Sequence, residues 1–293
     1  MMLKVYLEER KHWVEKWLGA WVAQESSKAP GVYETMNYSL MAGGKRLRPI
    51  LLMAGAETQG KSGEDFLPAA CALEMIHTYS LIHDDLPGMD DDDFRRGKPT
   101  NHKAYGVGPA ILAGDGLLTL AFQVLVSQKN VEPSRLVWAV DEFSKAAGPT
   151  GMVHGQALDL ESEGKVISAE KMKEIHRAKT GQLFRAALRS GVYLAGGDDH
   201  AMKKISEYAD AFGLAFQITD DILDVTGTLE ELGKAPGSDE GHEKSTYVSL
   251  YGLAGAKELA QEQTKIAVEA ARYFGEEGKI LEEISLALVN RRQ

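Results

Sequence analysis

The stretch from His83 to Thr100 carries the residues whose types and spacing most clearly suggest chemistry. It contains Asp84, Asp85 and Asp90, followed by further aspartates and two arginines. An apolar segment with helical spacing leads into it, so these carboxylates fall at the C-terminal end of a buried helix. Clustered carboxylates repel one another there, and the negative end of the helix dipole disfavours them further. We therefore expect a cation at this site, and oxygen donors of this kind suit Mg²⁺.

A run of aspartates is also typical of a solvated loop that binds nothing, whereas an EF-hand is excluded because its ligand spacing is absent. A second cluster, Asp220, Asp221 and Asp224, favours the metal site because it too ends an apolar helical segment. Asp220 and Asp224 share a helix face, with Gln217 on much the same side, and like charges so placed destabilise a helix unless a cation bridges them. The two clusters together predict one metal site that faces a polyanionic ligand.

Cationic segments accompany the acidic clusters. The sequence G-G-K-R-L-R-P at Gly43–Pro49 places three cations, one of them Arg46, within four residues. Its proline suits the first turn of a new helix, where cations and free N–H groups make a good diphosphate site. An ordinary basic turn is the alternative. Further along, Gly181 inside a helical pattern predicts a local opening that turns Lys179 and Thr180 towards a ligand, with close helix packing as the alternative.

Composition narrows the class of protein. The chain has 293 residues, 44% of them hydrophobic and 26% charged, which is the balance of a globular domain. A net charge of −10 argues against nucleic-acid binding and against a basic membrane-facing patch. Cys71 is the one cysteine, which fits a reducing cytoplasm. No uncharged apolar stretch is long enough to span a bilayer, so no stable membrane insertion is expected.

The elements that must position these groups are predicted to be helices throughout. Ser168 is predicted to cap one of them, and the polar segment Thr226–Ser245 has the length of a lid loop. No linker is evident, so we expect one all-α domain over residues 1–293, a helical bundle with both acidic helices pointing into a central cavity. The predicted helices are Leu3–Gln24, Tyr33–Met41, Ile50–Thr58, Phe66–Leu86, Gly106–Gln128, Pro133–Ala147, Ala169–Ser190, Asp199–Asp224, Gly252–Phe274 and Glu276–Val289.

These motifs together resemble the trans-prenyltransferases, or isoprenyl diphosphate synthases, and most closely the bacterial farnesyl diphosphate synthases. The resemblance implies the isoprenoid synthase type of all-helical fold, a homodimer, and condensation of isopentenyl diphosphate with an allylic diphosphate. It runs over nearly the whole chain and includes Gly43–Pro49, Glu74–Asp90, Arg95–Gly97, Gly151–Gln156, Lys179–Gly181 and Phe216–Asp224.

The resemblance also implies roles for individual residues. Mg²⁺, as three ions when substrate is bound, would be held by Asp84, Asp90 and Asp220 and would neutralise charge on the leaving pyrophosphate. Asp85, Asp221 and Asp224 lie close to those ligands. The isopentenyl diphosphate would be bound by Lys45, Arg48, His77 and Arg96. The allylic diphosphate would be bound by Arg95, Lys179, Thr180, Gln217, Lys234 and Lys244.

The length of the product is a separate question. In farnesyl-type relatives an aromatic residue at the position of Tyr79 stops chain growth, whereas helical spacing alone places Ser80 more squarely on the Asp84 face. A geranylgeranyl diphosphate synthase is therefore the main alternative. A terpene cyclase fits less well, because its second metal motif is not D-D-x-x-D. A non-catalytic regulatory subunit would be expected to lack one acidic cluster or a phosphate-binding cation, and this chain keeps them all.

Overall fold

The computed structural model of the chain describes residues 2–165, 167–227 and 245–289. Within these residues the chain is helical almost throughout, which confirms the predicted all-α class. Strand is confined, in the described ranges, to a small hairpin that pairs Phe94–Arg95 with Lys98–Pro99.

The chain divides into two compact units. The first contains the residues up to Met53 together with Ser62–Val140, and the second contains Ala54–Lys61 together with the residues from Asp141 onward. The boundary falls within two helices, Leu47–Glu57 and Pro133–Ala147. The prediction of a single domain over residues 1–293 stays a prediction.

Helices of the N-terminal half carry the first acidic cluster and the basic loop. Short 3-10 turns at Ser26–Lys28 and Gly63–Phe66 precede α2 and α4. The helices are α1 (Met2–Glu25), α2 (Pro30–Leu40), α3 (Leu47–Glu57), α4 (Leu67–Asp84), α5 (Asn101–Tyr105), α6 (Val107–Val126) and α7 (Pro133–Ala147).

Helices of the C-terminal half carry the second acidic cluster. A π-helical segment, Arg177–Gly181, interrupts what the sequence predicts as one helix from Ala169 to Ser190. Ser168 caps its start as predicted, accepting a hydrogen bond from the amide of Lys171. The helices are α8 (Met152–Ser162), α9 (Ala169–His176), α10 (Gln182–Leu194), α11 (Asp199–Thr226), α12 (Tyr247–Arg272) and, after a 3-10 turn at Gly275–Gly278, α13 (Lys279–Val289).

The remaining predicted boundaries hold to within a few residues, with two informative exceptions. Helix α3 begins at Leu47, so Pro49 is its third residue, still within the first turn where proline is tolerated. Helix α12 begins five residues before the predicted start, and Gly252 (φ +69°) forms a kink inside it. A Thr246 side chain that accepts from the amide of Ser249 starts the helix there, and its capping box overrides the glycine.

In the first unit, α4 packs against α6. The contact depends on Gly114, because a methyl group at that position would lie 2.1 Å from Nε2 of His83. His83 Nε2 donates to the carbonyl of Ile111 at 3.1 Å, which fixes the ring in the groove. Helix α6 is, within the described residues, long and apolar enough to span a membrane by length and composition alone, and 44% of that span is buried inside the protein. Its inner face is thus part of the core.

In the second unit, α11 is the central helix and packs against α10 and α12. Phe184 of α10 lies edge-on to Phe212 of α11, with ring centroids 5.4 Å apart. The buried hydroxyl of Tyr208 donates to the carbonyl of Leu281 at 3.0 Å and accepts from the hydroxyl of Ser285. Helix α11 is held by aromatic packing and by buried polar groups that have hydrogen-bond partners. The acidic end of this helix therefore has a fixed direction.

Candidate active site

The first acidic cluster lies where α4 ends. Buried side chains carry α4 up to Asp84, and Pro87 and Gly88 (φ +90°) then turn the chain. The amide of Asp90 donates to the carbonyl of Asp84 at 2.9 Å, so the turn folds back on the end of the helix. Both aspartates are half-buried. The two residues expected to bind metal in this unit are therefore neighbours.

Asp85 has a different role from Asp84. Its carboxylate is buried, and Oδ1 accepts a hydrogen bond from Nε of Arg95 at 2.6 Å and lies 2.5 Å from Nη2 of the same ion-paired guanidinium. Burial raises the pKa of Asp85, and the guanidinium of Arg95 opposes that rise. Arg95 also reaches Asp92 at 3.3 Å. Asp85 therefore orients Arg95, which the sequence predicts as a ligand of the allylic diphosphate.

The basic loop before α3 has an unusual backbone. It is left-handed at Gly43 (φ +92°), Gly44 (φ +116°) and Arg46 (φ +51°). A methyl group at Gly44 would lie 2.6 Å from Cζ of Arg96, so only glycine allows that guanidinium to lie against the loop. Nη1 of Arg96 donates to the carbonyl of Gly43. The loop thus fixes Arg96, an expected ligand of isopentenyl diphosphate.

Other expected ligands of isopentenyl diphosphate meet beside this loop. Nη1 of Arg48 donates to Nε2 of His77 at 3.1 Å. Burial lowers the pKa of Arg48 to about 10, partly offset by the charge of Glu74. Burial first, and then four arginines including Arg48 and Arg96, lower the pKa of His77 well below 6.5, so its imidazole is neutral near pH 7. Lys45 is exposed in the same loop.

Arg46, the remaining cation of the basic loop, is directed into the protein. Its side chain is fully buried, and Nη1 donates to Oε1 of Glu74 at 2.7 Å. Nη2 donates to the carbonyl of Leu40 at 2.7 Å. Sequence reasoning missed this pair. Glu74 could have indicated the pair, because a carboxylate that follows a long apolar stretch of a buried helix needs a cationic partner.

The two candidates for setting product length lie side by side on α4. Tyr79 is buried and packs edge-on against His83, with ring centroids 5.6 Å apart. Burial, with a smaller contribution from Asp84, raises the pKa of Tyr79 to about 12. Ser80 is half-buried, and its hydroxyl donates to the carbonyl of His77 at 2.9 Å. Because Tyr79 is bulkier than Ser80, it is the better candidate to close the cavity that would hold the growing chain. That role stays a prediction.

The second acidic cluster, at the end of α11, divides into one exposed and two buried carboxylates. Asp220 is exposed, whereas Asp221 and Asp224 are only 2% and 3% exposed. Asp221 accepts from Nε2 of Gln217 at 3.1 Å and from the backbone amide of Tyr247 at 2.8 Å. Asp221 therefore ties the first residue of α12 to α11 and orients Gln217. Asp220 and Asp224, predicted to share a face, lie in different environments.

The π-helical segment carries Lys179, another expected ligand of the allylic diphosphate. Nζ of Lys179 donates to Oδ2 of Asp159 at 2.7 Å. Helix α8 crosses the segment closely, because a methyl group at Gly155 would lie 2.1 Å from the amide nitrogen of Lys179. A methyl group at Gly213 would lie 3.3 Å from Cα of Gly181. The helix is thus widened into a π-helical turn at Gly181 and is also closely packed there, whereas the ligand-facing role of Lys179 and Thr180 stays a prediction.

His176, the last residue of α9, lies against Tyr247, the first residue of α12. Its ring lies 5.4 Å from the ring of Tyr247, whose amide binds Asp221. Burial lowers the pKa of His176 to about 4, with Asp159 opposing and Lys179 reinforcing the shift. Sequence reasoning missed Asp159 and Tyr247. Asp159 could have been found from its place three residues after Gln156, whereas no pattern pointed to Tyr247.

Within each unit, the structure thus brings some of the expected residues together: Asp84 with Asp90, Arg48 with His77, Arg95 with Asp85, and Gln217 with Asp221. Thr180 is half-buried in the π-helical segment, and the predicted ligands Lys234 and Lys244 lie outside the described residues. Among the described residues, no group of three or more His, Cys, Asp or Glu is arranged as a metal site by itself. The prediction that both acidic helix ends share one central cavity stays a prediction.

Comparison with known proteins places the chain in a family. The profile of the family described as polyprenyl synthetase matches residues 29–284. The chain is 48% identical over 260 residues to a farnesyl diphosphate synthase of Geobacillus stearothermophilus, covering 88% of this chain and 87% of that protein. It is 45% identical over 291 residues to a geranylgeranyl diphosphate synthase of Cyanophora paradoxa, covering 99% and 96% of the two chains.

Solved structures agree with the sequence comparisons. The crystal structure of a geranyltransferase from Legionella pneumophila matches with a TM-score of 0.88 at 33% identity, covering 99% of this chain and 97% of that one. The resemblance to the trans-prenyltransferases, the all-α fold and the enzyme class predicted from the motifs are thereby confirmed. The chain belongs to the polyprenyl synthetase family.

Proposed function

We propose that this chain condenses isopentenyl diphosphate with dimethylallyl or geranyl diphosphate to give farnesyl diphosphate. The observation that carries the proposal is the arrangement along α4. Its end presents Asp84 and Asp90 together, while Arg48 and His77 form a cationic site about two turns earlier. A prenyl condensation needs both features, an acidic site for metal and diphosphate and a cationic site for a second diphosphate.

Magnesium fits the donors that the chain offers. Asp84, Asp90 and Asp220 would hold the ions, because all three carboxylates have accessible surface, whereas Asp85 and Asp221 are buried. Mg²⁺ retains water and binds diphosphate oxygens, so two or three carboxylates suffice. When bound, the ions stabilise the charge that develops on the departing pyrophosphate.

The chain's own cations complete the diphosphate sites. Arg95, oriented by Asp85, and Lys179, held by Asp159, would bind the allylic diphosphate as charge-assisted donors. Arg48, paired with a neutral His77, would bind isopentenyl diphosphate. We propose that the departing pyrophosphate accepts the proton that is lost after condensation. A side chain within hydrogen-bond reach of that proton in a ternary complex would contradict this step.

The proposal that the product is farnesyl diphosphate depends on the size and position of Tyr79. A buried tyrosine that packs against His83, just over one turn before Asp84 on α4, is bulky enough to close an apolar cavity at that level. The alternative product, geranylgeranyl diphosphate, is favoured by the name of the Cyanophora relative. Incubation of the purified chain with isopentenyl diphosphate and each allylic primer, followed by chromatography of the dephosphorylated products, separates the two.

The same assay tests catalysis itself. Turnover that depends on added Mg²⁺ and is lost in Asp84→Asn supports the proposal. A folded protein without turnover on any primer would instead favour the regulatory-subunit alternative. In that case restored or altered activity after mixing with an active synthase would identify the partner.

We also propose that the chain forms a homodimer through α6. The outward face of this helix exposes Val107, Ile111 and Leu112 near its start and Val126 at its end, so large apolar side chains are left in contact with solvent. A second copy of the chain would cover these side chains in an isologous contact. Light scattering after size exclusion should give twice the chain mass, and Leu112→Asp should lower it. A wild-type monomer at micromolar concentration would refute the proposal.

A cytoplasmic location is the remaining proposal. Cys71 is a buried thiol whose pKa burial raises well above its ordinary value, so it behaves as an apolar core residue. Microscopy of the tagged full chain in its own host tests the location.

A further inference from the structure

Arg46 combines two features that are each unfavourable. It is a non-glycine residue in the left-handed region (φ +51°), in a loop where glycine occupies the other left-handed positions. Its charged side chain is also completely removed from solvent. Strained backbone and buried charge persist only where the surrounding structure holds them firmly, and such positions concentrate at functional sites.

The side chain of Arg46 contacts three helices of the first unit. It donates to the Glu74 carboxylate on α4 and to the Leu40 carbonyl, the last residue of α2, both at 2.7 Å. Its Nε lies 3.5 Å from a carboxylate oxygen of Glu15 on α1. The loop between α2 and α3 is thereby fastened from within to the helix that carries His77.

The backbone of Arg46 separates Lys45 from Arg48, both expected ligands of isopentenyl diphosphate. Lys45 immediately precedes the left-handed residue, and Arg48 follows two residues later to meet His77 at 3.1 Å. Glu74 lies three residues before His77, on the same helix face. A shift of the loop relative to α4 would therefore separate Arg48 from its histidine and redirect Lys45.

We propose that Arg46, held by Glu74, is a positioning residue that sets the geometry of the isopentenyl diphosphate site without touching the substrate. The inference rests on the proposed function. It adds that one buried ion pair controls binding of one of the two substrates. Lysine is not an equivalent, because a single ammonium cannot reproduce the two directed bonds to Glu74 and Leu40.

The test uses the full-length variants Arg46→Lys and Glu74→Gln. Each should raise the KM for isopentenyl diphosphate by about tenfold or more, since small misplacement of binding groups is costly. The KM for the allylic diphosphate should stay within about twofold of wild type, because its expected ligands are fixed by Asp85 and Asp159 instead.

A matched control exists in the second unit. Nε of Arg189 donates to Oε1 of Glu142 at 2.6 Å, and its Nη1 donates to the hydroxyl of Ser206 at 2.6 Å. This arginine is also bound to a carboxylate and to a second acceptor, and it has no proposed role in binding. Arg189→Lys should lower the thermal midpoint while leaving the ratio of the two KM values unchanged.

Unchanged KM for isopentenyl diphosphate in both folded variants would overturn the proposal, as would parallel increases in both KM values. If Arg46→Lys does not fold, Glu74→Gln decides alone, because it preserves shape and keeps one acceptor for Arg46. Absence of turnover in the wild-type protein would instead refute the proposed function, so the two failures are distinguishable.

Discussion

The ammonium group of Lys179 donates to the carboxylate of Asp159 at 2.7 Å, joining the π-helical segment to α8. Both side chains are about one-fifth to one-quarter exposed, so the pair is only partly screened by water. An ammonium has three donors. Asp159 can therefore hold Lys179 in one direction and leave donors for an incoming diphosphate.

Replacement of Asp159 by asparagine should weaken binding of the allylic substrate. Without the charged acceptor, Lys179 is free to adopt other rotamers, and ordering it again on binding costs free energy. We expect the KM for the allylic diphosphate to rise several-fold, roughly the effect of one charge-assisted hydrogen bond. The control is Asp210→Asn, which removes the charge of one carboxylate that pairs with Arg185 in the same unit. A lowered KM in Asp159→Asn would mean that Asp159 competes with the substrate for Lys179.

Substitution of Gly155 should affect the same substrate through the backbone. A methyl group there would lie 2.1 Å from the amide nitrogen and 2.5 Å from Cα of Lys179, so α8 and the π-helical segment must separate. Gly155→Ala should lower the thermal midpoint and raise the allylic KM. Gly108 provides a control, because nothing lies within 4 Å of a methyl group at that position. Equal effects of both substitutions would contradict the steric argument.

Much of the fold and of the candidate site could be predicted from the sequence, and there is a physical reason why the other contacts could not. The apolar periodicity and the terminating Pro87 and Gly88 correctly placed Asp84 at a helix end. Spacing also placed Gln217 on much the same side as the second acidic cluster, and Gln217 does donate a hydrogen bond to Asp221 of that cluster. Periodicity reports which face of a helix is apolar, but it does not report where a polar side chain finds a partner that is distant in sequence.

The missed residues illustrate that limit. Arg46 was grouped with two other cations because the three are adjacent, yet its partner Glu74 is 28 residues away. The contact between Tyr247 and Asp221 joins residues 26 apart. The π-helical turn at Lys179 was anticipated only as a local opening near Gly181, since its geometry depends on the approach of α8.

Substitution of the two adjacent aspartates at the end of α4 should change the kinetics and the stability of the enzyme in different ways. Asp84→Asn removes a proposed metal ligand and should lower kcat by about 10²–10³, the usual loss when one group that stabilises transition-state charge is removed. Its thermal midpoint should change little, and more Mg²⁺ should be needed for half-maximal activity. Asp85→Asn should instead lower the midpoint and raise the allylic KM, because Arg95 loses its buried partner. Identical kinetic changes in both variants would contradict the assignment.

The identity of residue 79 should set the length of the product. Tyr79→Ala opens the space that the buried ring fills beside His83, so the allylic chain can grow further before it meets the wall. Chromatography should show products longer than farnesyl diphosphate. Ser80→Ala is the control, since it removes only a hydroxyl that donates to the His77 carbonyl. If Tyr79→Ala leaves the product spectrum unchanged, or if only Ser80→Ala shifts it, then Tyr79 is not the residue that limits the length of the product.

Stability should fall on acidification, and His176 should contribute measurably to that fall. Its pKa is about 4 in the folded chain, against 6.5 for an ordinary histidine. Between these values the unfolded chain binds a proton that the folded chain does not, so stability is lost as the pH decreases through this window. The free energy of unfolding should fall by up to ~1.4 kcal/mol per pH unit from this group. The difference in thermal midpoint between pH 7 and pH 5 should therefore be smaller in His176→Gln than in wild type. The control is His200→Gln, because His200 is exposed, and this variant should show the same difference in thermal midpoint as wild type. If His176→Gln also shows the wild-type difference, burial does not suppress protonation of the His176 ring.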